Sequence, residues 1–184
     1  MKATAFVVGP VDGPGAAMTD MARGLKFQAV LPYAGVSNAE QQAVRTPVCF
    51  FLFAAVADVE TLRNVAEAIR FAPSRKIRFS PLIYFSESPS VETIKRCINM
   101  GFDDVVTMPF SQRRLADRMA RQVGTNLVYY ETSGYFGPDR RDRAPQLAAK
   151  AQDERVGGKY RRLEIVRNFL TGINVVRDDL FQAG

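Results

Sequence analysis

The chain has 184 residues, 47% of them hydrophobic and 24% charged, with a formal net charge of +6. That length holds one domain and an appendage, and the composition is that of a globular protein with a sizeable core. Histidine is absent, which excludes phosphohistidine relays, Ser-His-Asp and Cys-His catalysis, and His-ligated zinc. Cys49 and Cys97 sit in apolar or amphipathic segments and read as buried free thiols. The positive surplus is spread out, with 15 basic against 11 acidic residues up to position 125 and 10 against 8 beyond it. No dedicated basic tail marks a nucleic-acid binder. Met1-Lys2-Ala3-Thr4 does not read as a secretory signal. The longest apolar stretch, Val48 to Ala57, is about half of the roughly 20 residues that a membrane-spanning helix needs. A cytoplasmic location is expected.

Ala3 to Val8 is apolar throughout and stops at Gly9-Pro10, which predicts a buried strand. Gly15 to Phe27 places Ala17, Met21, Gly24 and Leu25 at helical spacing, and Ala29 to Tyr33 is a second short strand. Ser37, with Glu40 three residues on, predicts a capping box at the head of the next helix. Val48 to Phe53 is apolar at every position, as a strand covered on both faces must be. Asp58 to Phe71 predicts an amphipathic helix with Leu62, Val65, Ala66 and Ile69 on one stripe. Pro81 to Phe85 is a further strand. Pro89 to Met100 is a helix stopped by Gly101, and Asp104 to Thr107 is the last strand. Ser111 caps a final helix carrying Leu115, Met119 and Val123. Five strand-then-helix alternations require crossover connections, hence a parallel sheet with helices on both faces. Any chemistry belongs at the carboxyl ends of its strands.

Three segments near those ends carry a resemblance. Pro81-Leu82-Ile83-Tyr84-Phe85-Ser86, the turn Gly101-Phe102-Asp103-Asp104, and Val105-Val106-Thr107-Met108-Pro109-Phe110 together resemble the CheY-like receiver domain of response regulators, over about residues 3 to 123. The resemblance implies an α/β fold with a doubly wound, five-stranded parallel sheet, to which this chain adds a small C-terminal extension. In that family an acidic pair follows the first strand, a phosphorylated aspartate ends the third, a hydroxyl ends the fourth, and a lysine precedes Pro-Phe. Carried over, those positions are Gly9 and Pro10, Phe53, Ser86 and Met108; the family's aromatic switch falls on Val105. Only Ser86 keeps the required atoms. Asp12 and Asp58 are the nearest carboxylates, and both read as turn or helix-start residues. Pro10, Phe53 and Met108 suggest a pocket filled by apolar side chains. The expectation is a pseudo-receiver with no metal, no cofactor and no catalytic residue.

The family commonly docks partners or dimerises on the face formed by its fourth helix, fifth strand and fifth helix. Here Arg114, Arg118 and Arg121 share one face of the last helix. They form either a solvated surface partly balanced by Asp117, or a docking stripe for an acidic partner or a homodimer mate. Asn126 to Glu131 predicts one more strand. Beyond it, Tyr135 and Phe136 stand beside Gly137-Pro138 and the cluster Arg140, Arg141 and Arg143. These residues compose a docking motif, or aromatic anchors that pin a linker, or an anion or cyclic-dinucleotide site. We divide the chain into a pseudo-receiver (1–125), a linker (126–159) and a C-terminal interaction segment (160–184). The last is either a helix with Leu163, Val166, Leu170, Ile173 and Leu180 on one side, or a hairpin of Glu164 to Phe169 and Ile173 to Val176 about Thr171-Gly172. Either form is too small to make its own core. The function expected is a phosphorylation-independent adaptor that docks on a kinase or regulator, and not an enzyme. The alternative is a DNA- or RNA-binding regulator using Arg140 to Arg143 with Arg161-Arg162, or a nucleotide-signal binder.

Overall fold

The computed structural model describes residues 1–87, 90–139 and 159–182. Its first unit runs β1 (Ala3–Val8), α1 (Gly13–Gly24), β2 (Ala29–Pro32), α2 (Val36–Ala43) and β3 (Val48–Phe53). A 3-10 turn (Val59–Leu62) leads into α3 (Arg63–Arg70), followed by α4 (Arg75–Arg78), β4 (Leu82–Ser86), α5 (Val91–Asn99), β5 (Asp104–Thr107) and α6 (Gln112–Ala120). The five strands are parallel in the order β2-β1-β3-β4-β5, the doubly wound order shared by flavodoxin and CheY. Every residue of β1, β3 and β4 is buried, because helices cover both faces. Met18, Ala22, Leu115 and Met119 of α1 and α6 pack on Val7, Phe50, Leu52 and Ile83. Ala39, Ile69 and Cys97 of α2, α3 and α5 pack on Phe6, Phe51, Phe53 and Tyr84.

Local chemistry sets most boundaries. The Ser90 and Ser111 hydroxyls accept from the backbone N–H of Thr93 and Arg114 at the heads of α5 and α6. Gly101, at φ +85°, ends α5. The capping box expected at Ser37 does not form: α2 begins at Val36, capped by Gly35 at φ +107° with no side-chain bond. The chain leaves β2 through a backbone conformation open to glycine, and Ser37 is already inside the helix. The single helix expected over 58–71 is broken. Asp58 accepts from the Glu60 N–H at 3.1 Å and starts a tighter turn, so regular helix begins only at Arg63. Pro73-Ser74 then starts α4, which the periodicity did not reveal.

The second sheet is antiparallel: β6 (Asn126–Glu131), β7 (Phe136–Pro138), β8 (Tyr160–Asn168) and β9 (Gly172–Phe181), in the order β7-β6-β8-β9. Residues 126–138, part of the segment expected as linker, are thus strands of the same sheet as 160–181. The hairpin forms rather than the helix, because Leu163, Ile165 and Arg167 alternate inward along β8. Asn168 Oδ1 accepts from the N–H groups of Leu170 and Thr171 and closes the turn. Gly172 follows at φ +85°, where a Cβ would stand 3.2 Å from the Pro47 carbonyl oxygen of the first unit. The sheet borrows its core: Tyr129, Phe136, Leu163 and Ile165 cluster on Phe79, which lies between α4 and β4.

Candidate functional site

At the carboxyl ends of the parallel strands, Gly9 and Pro10 leave β1 exposed. The pocket filled by apolar side chains is not there. Phe53 is fully buried beneath the sheet end, its ring edge-on to Phe102 at 4.7 Å, while Met108 is 52% exposed. The reason is strand alternation. Phe53 shares its face with Phe51 and Tyr84, under α3 and α5, whereas Ala54 turns to the other face and meets Gly9. A Cβ added to Gly9 would lie 2.8 Å from the Ala54 Cβ. Ser86 is buried at the end of β4. It lines a cleft of about 440 Å³ with Pro14, Val56, Tyr84 and Glu87, and Tyr84 Oη accepts a bond from the Val56 N–H at 3.4 Å.

Magnesium, which the receiver resemblance implies, does not fit these residues. It requires carboxylate oxygens, and neither Gly9, Pro10, Phe53 nor Ala54 has a side-chain oxygen. Asp12 is exposed at the head of α1. Asp58 is held by the Glu60 N–H and lies 3.5 Å from Arg96. Among the described residues no group of three or more carboxylate or thiol side chains converges on a common point.

A larger groove of about 840 Å³ runs along α5, β5 and α6. Ile94 and Ile98 form one wall, Val105 and Thr107 the floor, and Arg114 and Arg121 the opposite rim; Leu127 of β6 closes one end. The three arginines of α6 do not act alike. Arg118 is held internally, its guanidinium forked on Asp104 with Nε to Oδ2 at 2.8 Å and Nη2 bonded to the Val105 carbonyl at 3.0 Å. Its hydrogen bond to Asp104 raises its pKa against the opposing effect of burial. Arg114 and Arg121 are exposed and have no ion pair among the described residues.

Beneath that groove lies a buried charge network that the sequence reading missed. Asp103, Arg70, Arg167 and Tyr129 are all essentially inaccessible to solvent. Asp103 Oδ2 accepts from Arg70 Nη2 at 2.5 Å and from the Leu82 N–H at 2.8 Å; Oδ1 accepts from Arg167 Nη2 at 2.8 Å and from the Tyr129 hydroxyl. The guanidinium donors left over go to carbonyl oxygens, from Arg70 to Gly101, Arg78 and Ser80, and from Arg167 to Phe79 and Gln122. Burial pushes the Asp103 carboxyl up, but Arg167, Arg70 and the hydrogen bonds to it outweigh that and hold it well below the usual carboxylate range. Burial raises the Tyr129 hydroxyl. Two features pointed here: Arg70 extends the buried stripe of Ala66 and Ile69 on α3, and Arg167 is a cation at the inward period of β8.

The remaining expectations divide. Phe136, expected on a docking surface, is buried among Phe79 and Tyr129, with the Arg78 guanidinium 4.1 Å from its ring. Tyr135 donates to the Pro138 carbonyl at 2.8 Å. Both anchor β7; the backbone there approaches Gly101 so closely that a Cβ on Gly137 would stand 2.7 Å from its Cα. Arg161 pairs with Asp178 and Glu131, and Arg162 with Glu164, so the two cations assigned to nucleic acid already have partners. Arg140, Arg141 and Arg143 lie outside the described residues. No helix among the described residues is long and apolar enough to cross a membrane.

No protein-family model matches the chain, and no curated protein matches it. Among solved structures, the receiver domain of a sensor histidine kinase from Pseudomonas aeruginosa, with a magnesium ion in its active-site cleft, is 21% identical. The match covers 66% of this chain and 98% of that one, with a TM-score of 0.48. A pilus assembly-related protein from Burkholderia pseudomallei is 15% identical over 66% of this chain and 89% of its own, also at 0.48. A CheY-like response regulator receiver domain protein from Methanospirillum hungatei is 17% identical over 65% and 91%, at 0.45. The strand order β2-β1-β3-β4-β5, parallel throughout and covered by helices on both faces, gives the first unit the CheY-like receiver fold.

Proposed function

We propose that this protein is a phosphorylation-independent signalling adaptor, which docks an acidic partner protein on the groove between α5 and α6 and performs no catalysis. The observation that carries this reading is the separation of two sites at one end of the fold. The positions where the receiver resemblance puts its acidic pair and acceptor, Gly9, Pro10, Phe53 and the adjacent Ala54, bear no carboxylate, while the neighbouring groove keeps an apolar wall, a built floor and two arginines with no ion pair among the described residues. In this reading the acceptor position belongs to Ala54, which faces Gly9, rather than to Phe53; neither side chain bears a nucleophile. Arg114 and Arg121 supply the charge that recognises partner carboxylates, and Arg118 shapes the floor by holding Asp104. Expected partners are signalling proteins such as kinases or other regulators.

The test has two arms. Treatment with acetyl phosphate and magnesium, followed by intact-mass spectrometry, should leave the mass unchanged. Partner capture from native extract with the full chain and with Arg114→Glu/Arg121→Glu should lose the same acidic proteins in the variant only. Phosphate on any aspartate, or capture indifferent to the double substitution, overturns the reading.

A further inference from the structure

Strand β9 lies at the edge of the small sheet, paired on one side with β8 and with no strand on its other side among the described residues. An edge of ten residues offers a row of backbone N–H and C=O groups to any strand that matches it. This edge also shows apolar side chains, Val176 at 61% and Leu180 at 65% exposure. The charges between them run Arg177, Asp178, Asp179. Asp178 is neutralised within the chain by a two-pronged bond from Arg161.

We propose that β9 pairs antiparallel with β9 of a second copy of this chain, in the register that sets Asp178 opposite Asp178 of that copy. The argument is one of symmetry and charge. Opposed residues of two strands point to the same face of the sheet. A two-fold axis normal to the sheet therefore admits only registers in which some residue faces its own counterpart. Centring on Arg177 opposes two arginines, and centring on Asp179 opposes two aspartates and sets Asp178 against Leu180. Centring on Val176 or Leu180 leaves Arg177 without an acid. Only the register centred on Asp178 sets Arg177 opposite Asp179 twice over. Its one like-charge pair is the aspartate that Arg161 already neutralises. Arg177 also pairs with Asp179 along its own strand, with Nε 2.6 Å from Oδ2, so the two copies would form a four-membered ladder of alternating charge. The register shift between Glu164 and Ile165 leaves Val176 without a paired residue on β8, so the regular edge begins at Arg177. The interface is remote from the α5–α6 groove in sequence and does not depend on the adaptor reading.

The experiment uses the full chain. Sedimentation equilibrium should show a reversible dimer. Arg177→Asp opposes two like charges at both ends of the register and should raise the dissociation constant about tenfold or more. Arg177→Asp/Asp179→Arg restores the complementarity and should restore dimerisation. Below the dimer dissociation constant, where mass action adds no stability, all three proteins should melt within a few degrees of one another. Under mild oxidation Asp178→Cys should cross-link to itself in high yield, while Asn174→Cys, about 27 Å from its counterpart at 3.3 Å per residue, should not. Cys49 and Cys97 are buried and do not compete. A monomer at all concentrations, a dimer unaffected by Arg177→Asp, failure of the double swap to rescue, or equal cross-linking from Asn174→Cys would each overturn the proposal.

Discussion

Asp103 and Arg167 lie 64 positions apart in the chain, yet Arg167 Nη2 donates to Asp103 Oδ1 at 2.8 Å in a site closed to solvent. Asp103 sits in the turn that enters β5, and Arg167 is an inward residue of β8. One bond therefore ties the small sheet to the strand that floors the docking groove. Arg70 on the far side of Asp103 and Tyr129 on β6 complete the tie.

Removing either end should be costly. Arg167→Met leaves Asp103 with one cation and strips donors from the Phe79 and Gln122 carbonyls. Breaking one partner of a buried ion pair costs about 3 to 5 kcal/mol. Urea unfolding should show a loss of that order for Arg167→Met. A chain ended at residue 125, which lacks Tyr129 and Arg167 together, should be less stable still, and an unchanged midpoint would show that the network carries no such weight.

The same network sets an acid dependence. Asp103 has its pKa lowered in the folded protein, so its stabilisation is complete above the unfolded carboxylate value, about 3.9. It is lost as pH falls from there through the lower folded value. Asp103→Asn should lower stability at pH 7 and flatten the pH profile between about 4 and 2, as followed by thermal melts across that range.

In the groove the arginines should separate by role. Arg114→Glu and Arg121→Glu should leave the melting temperature within a degree or two, as exposed substitutions do. Arg118→Glu breaks a partly buried fork and faces Asp104 with a second carboxylate, and should cost on the order of 1 to 3 kcal/mol. Differential scanning calorimetry distinguishes them, and equal effects would dissolve the distinction between rim and floor.

Rebuilding the lost acceptor should fail. Phe53→Asp places a carboxylate in a packed aromatic cluster and should unfold the protein or cost upward of about 3 kcal/mol. Ala54→Asp places it beside Gly9 at the strand end and should be better tolerated. Neither should be labelled by acetyl phosphate, because Gly9, Pro10 and Met108 still supply no metal ligand and no cation; mass spectrometry reads both.

The thiols should be silent. Burial pushes Cys49 up to about 11 and Cys97 up to about 12, and only the thiolate is a strong nucleophile. Iodoacetamide should leave both unmodified in the native protein at pH 8 and label both in urea.

The receiver fold was legible because its signals are local and periodic. The unbroken apolar run Val48 to Phe53, the serine at 111 and the glycine at 101 each act within a few residues of themselves. That Gly9, Pro10 and Met108 carry no carboxylate and no amine was legible too, since residue identity does not depend on placement. Which residue at the end of β3 meets Gly9 was not legible: it is Ala54 rather than Phe53, because successive strand residues face opposite ways and only pairing with β1 decides between them. Tyr135 and Phe136 read either as a docking motif or as anchors pinning the chain to the domain, because a turn beside arginines is as often exposed as packed; packing against Phe79 and Tyr129 makes Phe136 an anchor.

Composition and order by themselves determined that this chain builds a five-stranded parallel sheet and places Gly9, Pro10, Phe53 and Met108 where the receiver resemblance expects carboxylates and a lysine. Only the tertiary structure decided that segments within 126–138 and 160–181 form a sheet seated on that unit, that Arg118 is spent on Asp104 while Arg114 and Arg121 are not, and that Asp103 is shared by Arg70 and Arg167. The physical reason is distance along the chain. Helix and strand periodicity and capping are written within a turn or two, whereas a buried carboxylate finds its two cations only when three separate elements close around it and water is excluded.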